Sequence, residues 1–181
     1  MHARETAELL IQAARVAQAA RTRDALTPAE WMALRFFARA NPQSRKPSAL
    51  ADFGITSRAA ASQVVNRLEQ GGYITRVQSP KDRRSYRIDL TAKGHGVLRD
   101  DPIEGLVGAV QSLDAPARAA LHDALRRVVG GLAASGRRRQ FDTCRHCLHL
   151  SDVPCECGLF GATINSEAAH LLCAHFRPRT A

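Results

Sequence analysis

Apolar residues recur at helical spacing from the start of the chain. Leu9, Leu10, Ala13, Val16, Ala17 and Ala20 make a stripe along residues 3–23, which predicts an amphipathic helix. Thr27-Pro28-Ala29-Glu30 predicts the start of a second. Thr27 can cap, Pro28 suits the first helical position, and Glu30 completes a capping box. This helix runs through Trp31, Leu34, Phe37 and Ala38 and should end before Asn41-Pro42. A short helix follows Pro47, holds Leu50, Ala51 and Phe53, and breaks at Gly54. Thr56 or Ser57 opens the next, which reaches about Gln70. There Ala61, Val64, Val65 and Leu68 form the buried stripe, and Arg58, Ser62, Gln63, Asn66 and Arg67 the open face.

Gly71-Gly72 stops that helix, and the period changes from helical to two. Tyr73, Ile74, Arg76 and Val77 read as a strand, Ser79–Arg83 as a charged turn, and Tyr86, Ile88 and Leu90 as the returning strand. Thr91-Ala92-Lys93-Gly94 starts another helix, interrupted near Pro102. Asp114-Ala115-Pro116 caps a last one through Leu121, Leu125, Val128, Val129 and Leu132. The order predicts a mainly α fold with a β-hairpin wing: a winged helix-turn-helix flanked by long helices. Its core is expected to be complete before residue 135. Ser135-Gly136-Arg137-Arg138-Arg139 then reads as a hinge-like basic link. This divides the chain into residues 1–136 and a small module at 137–181.

The chain has 181 residues and is 45% hydrophobic but only 5% aromatic, a composition that leans helical and can fill a core. It has no unbroken apolar run of membrane length and no charged-then-apolar leader, so a cytoplasmic protein with no membrane partner is expected. The net charge is +9, unevenly spread. Residues 1–140 hold 23 Lys and Arg against 13 Asp and Glu, and residues 141–181 hold 3 against 4. A basic body suits a polyanion, nucleic acid first. Ser, Gln, Asn and Arg on one helix face are the types that reach base edges and phosphates in a major groove, and arginines on a narrow ribbon suit a minor groove. The candidate DNA-binding residues are therefore Ser57, Arg58, Ser62, Gln63, Asn66 and Arg67 on the helix and Lys81, Arg83 and Arg84 on the hairpin. With no Gly-rich phosphate loop and no Ser/His/Asp order that fits a known site, an enzyme is not expected.

Leu68-Glu69-Gln70-Gly71-Gly72-Tyr73-Ile74-Thr75-Arg76, then Asp82-Arg83-Arg84-Ser85, then Leu90-Thr91-Ala92-Lys93-Gly94 resemble the MarR family of bacterial transcription regulators in order and distance. The segment from Leu26 to Pro42 resembles that family's second helix, and the likeness covers about residues 3–135. It implies a homodimeric repressor in which the first and last two helices intertwine. Each subunit then offers a recognition helix, 56–70, and a wing, 77–88, to a palindromic double-stranded site. Asp82 would brace a wing arginine, and Arg84 would enter the minor groove. Ala59-Ala60 departs from the family, which often has a hydroxyl or a larger polar residue there.

All five cysteines, and four of the seven histidines, lie in the last forty residues. Clustered thiols behind a cysteine-free body point to one metal or cluster site. The best four-ligand set is Cys144, Cys147, Cys157 and Cys173, with Cys155 the odd one out and His175 the histidine best placed to join it. The pattern of Cys144-x2-Cys147, Cys157-Gly158-Leu159-Phe160 and Cys173-Ala174-His175-Phe176-Arg177-Pro178 resembles small modules of the high-potential iron–sulfur type. Such modules are found in accessory subunits of benzylsuccinate synthase and its relatives. An iron–sulfur cluster sensing redox state, oxygen or iron is therefore expected. Zinc is the alternative cofactor, as a structural tail on a ligand-responsive regulator. Two further readings are an accessory or electron-transfer protein and a thiol-only sensor oxidised at Cys155 or Cys157.

Overall fold

The computed structural model describes residues 2–19, 26–78, 85–136, 138–152 and 155–179. Helix α1 spans Ala3–Ala19, α2 Pro28–Arg39, α3 Pro47–Phe53 and α4 Arg58–Gln70. A two-stranded antiparallel hairpin follows, β1 Ile74–Gln78 with β2 Tyr86–Leu90, in register from Ile74 opposite Leu90 to Gln78 opposite Tyr86. Helices α5 Ala92–Val97, α6 Glu104–Gln111 and α7 Ala115–Ser135 complete the body. The predicted α1 residues beyond 19, and the wing tip at 79–84, lie outside the described residues, and so do Lys81, Asp82, Arg83 and Arg84.

The core is the one the apolar spacing demands. Trp31, Leu34, Phe36 and Phe37 of α2 meet Leu50 of α3, Val65 and Leu68 of α4, and Ile74 and Ile88 of the hairpin. Helix starts are fixed by side chains that satisfy orphan backbone N–H groups. Thr27 and Glu30 form the capping box, Ser57 accepts from the Ala60 N–H, and Asp114 accepts from the Ala117 N–H.

The two glycine-bearing motifs turn out to dock on each other. Thr91 Oγ1 donates to Gly72 O at 2.6 Å, and Lys93 Nζ to Gly71 O at 2.7 Å. A Cβ at Gly94 would collide with the carbonyl oxygen of Tyr73, so the close approach of α5 to this turn requires glycine. Gly72 itself has φ +73°.

The cysteine-rich segment is built from very short strands. β3 (Asp142–Thr143) pairs with β7 (Leu172–Cys173), and β4 (Leu150–Asp152), β5 (Cys155–Cys157) and β6 (Ala162–Thr163) form a second small sheet. It is docked on the winged body rather than tethered to it. The Phe141 ring lies edge-on to Phe36 at 6.0 Å and to Phe53 at 5.3 Å. Ala174 is buried in the main core. The expectation that this core closes before residue 135 is therefore corrected: α2 and α3 leave an aromatic face that Phe141 covers. Gly136 caps α7, and Arg139 pairs with Asp52 of α3 at 3.2 Å. Arg126 of α7 holds Asp142 at 2.6 Å. Among the described residues no helix is long and apolar enough to cross a membrane.

Candidate nucleic-acid interface and thiol site

Helix α4 buries Ala61, Val64, Val65 and Leu68 and turns its other face out. Ser57, Arg58, Ser62, Gln63, Asn66 and Arg67 are all exposed, so the structure brings the helical part of the predicted set onto one open surface. Three of them have other duties. Ser57 caps the helix. Asn66 Oδ1 accepts from Arg76 Nη2 at 2.6 Å. Arg67 Nε donates to Glu30 Oε1 at 2.8 Å, tying α4 to the capping box of α2. Burial pushes the Glu30 carboxyl up, but the Thr27 backbone N–H, the Arg67 guanidinium and the Thr27 hydroxyl outweigh it and hold the group below its ordinary value. Arg58, Ser62 and Gln63 are thus the least committed of the six.

A shallow cleft of about 310 Å³ lies beside this face, lined by Lys46 and Ser48 of the α3 start, Arg58 and Ser62 of α4, and Ser85 and Tyr86 of the hairpin. Lys46, Ser48 and Tyr86 were not among the predicted contacts. Their signal was present in the sequence as a basic pair, Arg45-Lys46, immediately before a proline-initiated helix. At the hairpin base Arg76 bonds Glu69 at 3.0 Å and stacks over the Tyr86 ring at 5.3 Å. Asp89 takes bonds from Arg45 Nη1 and Arg87 Nε, both at 2.9 Å. Burial alone would raise the Asp89 pKa, but these two arginines hold it low.

Cys144, Cys147, Cys157 and Cys173 line one small apolar cavity together with His149, His175, Leu159 and Phe160. Cys144, Cys147 and Cys173 are buried, Cys157 is half-buried, and Cys155 is exposed. Cys173 is the most perturbed thiol. A hydrogen bond from Cys144 is the main reason its pKa falls to about 5, against the cost of burial, and the His175 backbone N–H at 3.3 Å and the Asn41 side chain add to it. Cys144 is pushed up in turn by that same bond, by burial and by the Cys173 charge. The His175 ring lies edge-on to Phe160 at 5.2 Å.

The donor set is chemically suited to a soft metal: four thiols around one apolar cavity. Among the described residues, however, no three His, Cys, Asp or Glu side chains stand in metal-holding geometry. The void is about 10 Å³, at the limit for one water.

Residues 26–85 match the family model described as the MarR family. The HTH-type transcriptional regulator BilQ of Clostridioides difficile is 42% identical over 43 residues, covering 24% of this chain and 29% of that protein. The transcriptional repressor MprA of Escherichia coli K12 is 40% identical over 57 residues, 32% of each chain. The chain thus spans about a third of the length of these curated relatives. The solved PcaV transcriptional regulator of Streptomyces coelicolor superposes with a TM-score of 0.51 at 22% identity, over 71% of this chain and 92% of that one, which shows a shared fold. The likeness to the MarR family thus lies in residues 26–85, about a third of this chain, which hold α2, α3, α4 and the hairpin strand β1.

Proposed function

We propose that the protein is a homodimeric DNA-binding transcription regulator of MarR type, acting as a repressor, whose C-terminal thiols bind a metal centre that reports redox state, oxygen or iron. The observation that carries the DNA reading is the open face of α4, where Arg58, Ser62 and Gln63 stand exposed beside a hairpin with a basic tip sequence. A major-groove helix needs long polar side chains on the face opposite its packing stripe, and this helix has them. The homodimer is supported by α1 and α7. They carry exposed Leu9, Ile11, Val16, Val128, Val129 and Leu132, a surface that pairing across a two-fold axis would cover. A palindromic duplex follows from that symmetry.

The metal reading rests on the convergence of Cys144, Cys147, Cys157 and Cys173 on one cavity. When bound, the metal would supply a redox-active or structural centre. The chain's part would be to hold the four sulfurs and to anchor Cys173 against the body through Leu172 and Ala174. An iron–sulfur cluster is the first assignment.

The second reading is a small-ligand-responsive regulator with a structural zinc, and two observations favour it. The thiol void is small. A separate cavity of about 590 Å³ is lined by Trp31, Met32, Arg35, Leu50, Val64 and Pro102, with Arg35 Nε held on Asp101 at 2.7 and 2.9 Å.

Selection of a bound duplex from a random pool, together with iron, zinc and sulfide analysis and an absorption spectrum on anaerobically purified protein, tests the proposal. Failure to enrich any duplex sinks the DNA reading. Zinc without iron or sulfide replaces the first metal assignment by the second.

A further inference from the structure

Seven residues, 40–46, join α2 to α3, and they are clamped on both sides. On one side is the strand that carries Cys173. The Asn41 N–H donates to Leu172 O at 2.8 Å, and the Ala174 N–H donates to Ser44 Oγ at 2.8 Å across 130 residues of sequence. The Asn41 amide oxygen accepts from the Ser44 N–H at 2.9 Å, which ties the two residues together inside the loop. Asn41 and Ser44 are 8% and 1% exposed, so these bonds are dry.

On the other side is the hairpin. The Ile88 N–H donates to Arg45 O at 2.8 Å, and Arg45 Nη1 donates to Asp89 Oδ1 at 2.9 Å. Arg45 Nε also closes back on Ala40 O at 2.9 Å. The next residues, Lys46-Pro47-Ser48, enter α3 and line the cleft beside α4.

We propose that this loop reads the state of the cysteine site and passes it to the DNA-binding surface: Asn41 and Ser44 take the signal from the strand that carries Cys173, and Arg45 delivers it to the hairpin through Ile88 and Asp89. Drawing the Cys173 sulfur onto a metal must shift the β7 backbone, which carries the Leu172 carbonyl and the Ala174 N–H with it. Buried hydrogen bonds with no water to replace them transmit such a shift rather than absorb it. A ligand biases DNA affinity only if it favours one arrangement of an element both sites touch, and the 40–46 loop is such an element. This inference rests on the proposed DNA and metal readings and adds the route between them.

The test uses the full chain, reduced and stripped of metal with a chelator, with and without one equivalent of Zn2+ as the probe. DNA affinity is read by fluorescence anisotropy on an enriched duplex. Amide hydrogen exchange is read without DNA. For the parent, Zn2+ should change affinity at least threefold and change exchange at Ala174, Ser44 and Ile88. In Ser44→Ala and Asp89→Asn the affinity ratio should collapse towards one, while bound zinc stays stoichiometric. Ser44→Ala removes the side-chain contact to the module, and Asp89→Asn takes the charge out of the hairpin contact in a shape-conserving way, so the second carries the test if the first does not fold. If both variants keep the parent's ratio, or if exchange changes stay within residues 141–179, the route is wrong. If exchange spreads to Ile88 but DNA affinity ignores zinc, the route stands and the sensor reading falls. A parent that binds no zinc overturns the route together with the metal reading.

Discussion

Glu30 does three jobs with one carboxylate. Its Oε2 accepts from the Thr27 N–H and hydroxyl, both at 2.8 Å, and its Oε1 accepts from Arg67 at 2.8 Å. Capping-box spacing makes the first of these legible. It could not give the third, because Arg67 is 37 residues away and looks like one more cation on an exposed face. Glu30→Gln should destabilise the fold by about 1–3 kcal/mol, the cost of weakening charged hydrogen bonds at a nearly buried site. The pH dependence has a definite sign. The folded carboxyl titrates below its ordinary value of about 4.3. Its stabilisation is therefore complete at neutral pH and is lost as pH falls through the unfolded and then the folded value. Urea midpoints should drop below about pH 4 in the parent and less steeply in Glu30→Gln. Equal slopes in that window would show that Glu30 is not the group responsible. At the other end of the chain, Ser substitution at Cys144, Cys147, Cys157 or Cys173 should each abolish metal binding, because a hydroxyl is a poor soft-metal ligand. Cys155→Ser should keep it, since Cys155 lies exposed outside the cavity. Full metal content in the four single variants, measured by elemental analysis, means the ligand set is wrong.

At the scale of elements, what was legible was what is local. The stripe Ala61, Val64, Val65 and Leu68 located α4 and its open face, and alternation located Tyr86, Ile88 and Leu90, of which Ile88 is buried. The cysteine segment resisted such reading because β3, β5, β6 and β7 have only two or three residues each, too short to show a period. The convergence of four cysteines on one cavity was readable from residue type, but the docking of the Leu172–Ala174 backbone on Asn41 and Ser44 was not, since two small polar residues in a loop carry no signal of a distant partner. The division of labour on α4 can be measured. Arg58→Ala and Gln63→Ala should shift sequence preference in competition assays, as base-edge contacts do. Arg84→Ala should weaken all sequences by about 1–3 kcal/mol if the wing tip enters a minor groove. Affinity should also fall steeply with salt. Unchanged affinity in a folded Arg84→Ala protein would remove the wing from the interface.

The whole molecule has two kinds of incomplete surface, and they have different remedies. On α1 and α7, large apolar side chains stand in solvent, Val16 at 65% and Leu132 at 66% exposed. A second copy would cover them, so light scattering at micromolar concentration should give a dimer without DNA, and a stable monomer would contradict the arrangement. On α2 and α3 the exposed aromatic face has already been covered, by the chain's own C-terminal segment. Phe141 closes against Phe36 and Phe53, Ala174 enters the core, and two ion pairs, Arg139 with Asp52 and Arg126 with Asp142, fasten the start of the segment. The cysteine segment should then support the winged body as well as modify it. Phe141→Ala should cost about 1–3 kcal/mol in the parent, below the 3–5 kcal/mol typical of a fully buried phenylalanine because Phe141 is only partly buried. The control is Leu148→Ala, at a side chain 59% exposed, which should stay within about 0.5 kcal/mol. Both are read from urea unfolding followed at Trp31, which lies in the winged core rather than in the cysteine segment. If Phe141→Ala leaves the Trp31 transition where it was, the module and the body unfold independently, and the segment contributes nothing to the fold it sits on.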